Sequence, residues 1–162
     1  MARVMARIGG RHGPGACGLG LALLLAASPA AATGTLTCSI DDKRVAFEAQ
    51  TAFSHGFGAG FNGFQARLEL KGKDAPAGFA PLELNAEALV HHWFHGKDVR
   101  LHLFHAPSGG PDGEVELVLQ ARATGGEEDG YAGRYVLTVS APGSDGKSRT
   151  LSFKGRATCS AG

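Results

Sequence analysis

Residues 64–71 read Phe-Gln-Ala-Arg-Leu-Glu-Leu-Lys, apolar and polar side chains in strict alternation. A period of two places Phe64, Ala66, Leu68 and Leu70 on one face of an extended strand and Gln65, Arg67, Glu69 and Lys71 on the other. One buried and one solvated face is the mark of an antiparallel sheet. The same period recurs on both sides. Leu36, Cys38 and Ile40 alternate with polar neighbours, as do Val45, Phe47 and Ala49 after the turn residues Asp41-Asp42-Lys43. Farther along, Val99, Leu101 and Leu103 share a face, then Val115, Leu117, Leu119 and Ala121, then Tyr135, Leu137 and Val139, then Leu151, Phe153, Gly155, Ala157 and Cys159. Clusters of Gly, Pro, Asp and Ser separate these runs. About seven or eight short strands at that spacing predict an all-β fold, a single antiparallel β-sandwich or short barrel. Only residues 82–95 are ambiguous. Asn85 can cap a helix that runs to His95 with Gly96 just past its end, or the segment is a strand entering a hairpin.

The chain of 162 residues is 43% hydrophobic and 19% charged, with a formal net charge of +1, which excludes disorder driven by charge. Its first 32 residues carry Arg3, Arg7 and Arg11 and no acid, followed by an apolar run from Ala16 to Ala27, the breakers Ser28 and Pro29, and Ala30-Ala31-Ala32. That order reads as a secretory signal cut after Ala32, leaving 33–162 as one domain, periplasmic or secreted. Taking its three arginines from the 16 basic residues leaves 13 against 15 acidic ones, so no overall basic balance for nucleic acid remains. No later run is long enough for a membrane helix. The signal segment contains Cys17, so two cysteines remain, Cys38 and Cys159, on the first and last strands. In an oxidising compartment they are expected to pair, which makes those two strands neighbours.

Five of the seven histidines fall within fifteen positions: His91, His92, His95, His102 and His105. If Gly96-Lys97 is a two-residue turn, His95 faces Asp98, Trp93 faces Arg100, and His91 faces His102. Parity then places Val90, His92, Phe94 and His105 inward, and His91, Trp93, His95, Asp98, Arg100 and His102 outward. In a helix, His91 and His95 are i, i+4 neighbours. Imidazoles with a carboxylate nearby suit Zn²⁺ or Cu²⁺, so His91, His95, His102 and Asp98 are the candidate metal ligands, against the plainer reading of a solvated polar face. The stretch 53–64 is the second feature, a Gly-rich segment bearing Phe57 and Phe61. Its literal G-x-G-x-x-G precedes a strand rather than a helix, so nucleotide binding is set aside. The two rings either contact a partner from a loop or fold back over an open end of the sheet. No nucleophile motif is present, and the chain reads as a non-enzymatic binding protein whose partner is a protein, a small ligand or a metal ion.

Overall fold

The structure, a computed structural model, describes residues 33–54, 60–72, 75, 79–106, 113–125, 130–142 and 147–162. The signal segment with its cut after Ala32, and Phe57, lie outside these residues. Among the described residues, nine strands form in chain order: β1 (Thr33–Asp41), β2 (Val45–Ser54), β3 (Phe61–Leu70), β4 (Leu82–Asn85), β5 (Leu89–His95), β6 (Asp98–His105), β7 (Glu114–Ala123), β8 (Gly130–Pro142) and β9 (Ser148–Ala161). The count exceeds the expected seven or eight because the ambiguous segment 82–95 yields two strands. Asn85 does act as a cap, its side chain accepting from the Glu87 amide at 2.9 Å, but it starts only a single 3₁₀ turn, Ala86–Ala88. The helical alternative to His95 is not formed.

All nine strands belong to one antiparallel sheet in the order β4-β3-β2-β1-β9-β8-β7-β6-β5. Two meanders therefore meet where β1 pairs with β9, and the sheet curls until β4 and β5 form its two edges. Cys38 pairs directly with Cys159 at that junction, and their disulfide spans 121 residues with Cα atoms 4.0 Å apart. The expected neighbourhood of first and last strands is realised. The inward rows are the apolar ones read from the alternation, with Leu36, Val45, Phe47, Leu68, Leu101, Leu117, Leu119, Tyr135 and Leu137 almost wholly buried. Each such side chain contributes about 1.5–3 kcal/mol by leaving water. The gap bounded by Leu36, Ala49, Phe64 and Leu101 has no room for a water molecule. Outward positions such as Glu48, Arg67, Glu69, Arg100 and Arg134 are exposed, unlike the apolar band a membrane barrel presents to lipid.

The sheet does not close by backbone hydrogen bonds. β4 pairs only with Gln65–Leu68 of β3, and β5 only with β6. Aromatic rings close the seam instead. Phe61 stacks on His92 with centroids 4.4 Å apart, and Phe94 meets Phe53 edge-on at 4.6 Å and Tyr131 at 5.8 Å. Such pairs contribute about 0.5–1.5 kcal/mol beyond their burial. Burial, aided by neighbouring His91, holds the His92 imidazole below its ordinary value, which favours the neutral ring in this seam.

The β1–β2 turn is tied to the opposite meander through Asp42. Its Oδ1 accepts from the backbone amides of Arg44 and Val45 at 2.8 and 2.9 Å, and its Oδ2 accepts from the Tyr135 hydroxyl at 2.5 Å. Burial pushes the Asp42 carboxyl up, but the Tyr135 bond, the two amides and the Arg44 charge outweigh it and hold the group below its usual range. A carboxyl depressed in the fold stabilises it above the unfolded pKa and loses that contribution as pH falls through the folded pKa. Tyr135→Phe is therefore expected to cost about 1–2 kcal/mol at neutral pH, for one hydrogen bond to a charged group. The cost should shrink from neutral pH into the acid range, as pH falls through the lowered folded pKa and Asp42 is protonated. Urea unfolding of both proteins across that range checks it; a loss independent of pH would assign the effect to packing.

Candidate functional site

The histidine segment is a hairpin. Gly96 has φ +58°, a conformation open to glycine and required at the first position of a two-residue hairpin turn. The register is the one read from the sequence, with His95 opposite Asp98, Trp93 opposite Arg100 and His91 opposite His102. One inward assignment fails. A bulge between Leu89 and His91 adds a residue to β5, so Leu89 takes the inward place and Val90, expected inside, is exposed.

The four candidate metal ligands share the outer face but do not form a cage. Along a strand, His91 and His95 are about 13 Å apart, four residues at about 3.3 Å each, where a helix would have stacked them one turn apart. The residues opposite are also engaged. His102 Nε2 lies 2.8 Å from Glu116 Oε1, and Arg122 Nε donates to Asp98 Oδ1 at 2.9 Å. Trp93 meets the His95 ring edge-on at 5.9 Å. Among the described residues, no group of three His, Cys, Asp or Glu side chains is placed to hold an ion. Of the loop pair, Phe61 is partly buried, its ring turned onto His92 and Phe94 in the seam.

What the hairpin does contribute is a surface continuous with the strands beyond it. Following the ladder outward from β5, one row runs His91, His102, Val118, Val136 and Lys154, and the next runs Trp93, Arg100, Gln120, Arg134 and Arg156. The large apolar side chains that the described chain leaves exposed are Val90 (55%), Trp93 (50%), Phe104 (40%) and Val136 (38%), and all lie on β5, β6 and β8 of this half. A shallow depression of about 310 Å³ lies beside them, rimmed by Arg100, Arg122 and Arg134 over Ala132 and Gly133. Trp93 and Arg100 are legible as outward residues of the hairpin. Phe104, Arg134, Val136 and Arg156 join them only through pairings between distant strands, so no local signal in the sequence marks them. Comparison with protein-family models, with curated proteins and with solved structures finds no match for this chain.

Proposed function

We propose that the protein is an exported, non-enzymatic binding module that engages its partner through the outer face of β5–β8. The observation that carries this reading is the gathering of Val90, Trp93, Phe104 and Val136 on one half of the sheet, where water meets large apolar surface. The disulfide and the signal-like first 32 residues support work outside the cytoplasm.

The test replaces Trp93 with a photo-crosslinking benzophenone amino acid in the exported protein, with Glu48 on the opposite half as the control position. Discrete adducts are expected from position 93 and not from position 48. Equal adducts from both, or none, would overturn the reading. Repeating the irradiation in EDTA separates a second arrangement, in which Zn²⁺ or Cu²⁺ held by His91 and His102 bridges to the partner. Adducts that persist show direct engagement, and adducts that vanish replace it with a metal-dependent contact.

A further inference from the structure

The row Trp93–Arg100–Gln120–Arg134–Arg156 crosses five adjacent strands at neighbouring register positions and contains no acid. Arg134 stands directly opposite Arg156, and like charges in that position are destabilising in a sheet. Among the described residues, Asp98 is held by Arg122 and Glu116 by His102. Arg100, Arg134 and Arg156 are exposed and make no ion pair with a described residue. The overall near-neutral charge hides this. The outer rows of β1–β4 mix Asp41, Glu48, Glu69 and Glu83 with Arg67, while the row through Trp93 carries only cations and an amide. Folding alone gives no reason to line up unpaired guanidinium groups, since each gains more beside a carboxylate.

We infer that this face binds a linear acidic polysaccharide, with Arg100 taking one carboxylate, Arg134 and Arg156 together taking the next, and Trp93 stacking on a sugar ring. The inference rests on the outer-face reading above and names its partner. Strands in a sheet are about 4.8 Å apart, so Arg100 and Arg134 stand two spacings apart, about 9.6 Å. That is the reach of a disaccharide, the repeat at which a two-fold polysaccharide ribbon returns a carboxylate to the same side. Gln120, between Arg100 and Arg134, offers both a donor and an acceptor to ring hydroxyls. Arginine forks match carboxylates in two parallel hydrogen bonds.

The test is isothermal titration of the full exported protein with polygalacturonate oligomers at low salt, beside poly-glutamate and single-stranded DNA of matched charge. Polygalacturonate is expected to bind more tightly than either. Trp93→Ala, and Arg134→Gln combined with Arg156→Gln, should each weaken it about tenfold or more. Arg67→Gln, on the opposite half, should leave it unchanged. These positions are exposed, so the variants should keep their melting temperature, which is measured alongside. No binding of polygalacturonate, binding that merely follows charge across all three polymers, or equal loss from Arg67→Gln would overturn the inference. Crosslinking from position 93 without polygalacturonate binding would sink the glycan and leave the outer-face reading standing; failure of both would remove both.

Discussion

Replacing Cys38 and Cys159 together by alanine is expected to lower stability by about 2–5 kcal/mol, the range for removing a native bridge from a small exported domain. The bridge crosses a separation of 121 residues, and the chain-entropy account makes the constraint on the unfolded chain larger for longer loops. Its position adds to the effect. β8 and β9 pair along the whole length Gly130–Pro142, whereas β1 and β9 pair only over Leu36–Ser39. Beyond that short ladder, the two meanders are joined by a backbone pair between Thr35 and Gly162, the Asp42–Tyr135 bond and the seam of rings. Without the disulfide, the β1–β9 junction should be the first to open. Guanidinium unfolding of the oxidised protein and the double variant measures the difference, and hydrogen exchange at Leu36–Ser39 locates it. An unchanged midpoint would show that side-chain packing alone holds the junction.

The second large effect is expected at Gly133, where valine should prevent the native sheet from forming. Gly133 stands opposite Ala121 in the β7–β8 ladder, and a Cβ there would lie 1.9 Å from the Gln120 carbonyl oxygen and 2.5 Å from the Ala121 Cα. Both are backbone atoms, so no side chain can swing aside to relieve the clash. The two strands would have to part where Leu119, Ala121, Tyr131 and Tyr135 are buried. Ordinary overpacking of a core costs about 1–3 kcal/mol, and a clash with ladder backbone should exceed it. Ala132→Val, one residue away on the exposed face, should change stability by no more than about 0.5 kcal/mol. Soluble yield and urea midpoints of the two variants give the comparison. A Gly133→Val protein as stable as Ala132→Val would mean that the strands are farther apart than described here.

Much of the architecture is legible in local pattern. Alternation in 64–71 assigns Phe64, Ala66, Leu68 and Leu70 to the core, and all four are buried. Gly96 between two alternating runs places His91 opposite His102 without any tertiary information, because a two-residue turn sets the register. Local pattern leaves the outcome open, or misplaces a residue, where local rules compete. Asn85 is a good cap, but β5 finds a pairing partner in β6, and cross-strand burial outweighs the helix that Asn85 could have started. Val90 fails because a bulge is one extra residue that reverses parity behind it, and nothing in the letters Leu-Val-His-His announces it. The metal expectation treated His91 and His95 as close because they share a face, although a strand separates them by four full rises.

Taken by itself, the amino-acid sequence determined the strand character of the chain, which face of most strands is buried, the hairpin register and the pairing of Cys38 with Cys159. These follow from periods of two, from turn chemistry and from the even count of cysteines after position 32, all short-range or countable. Only the tertiary structure decided that rings rather than hydrogen bonds close the seam, and that Arg100, Arg134 and Arg156 line up with Trp93. The reason is geometric. Alternation fixes whether a side chain points in or out, but which outward side chains become neighbours depends on strand order and register between segments dozens of residues apart.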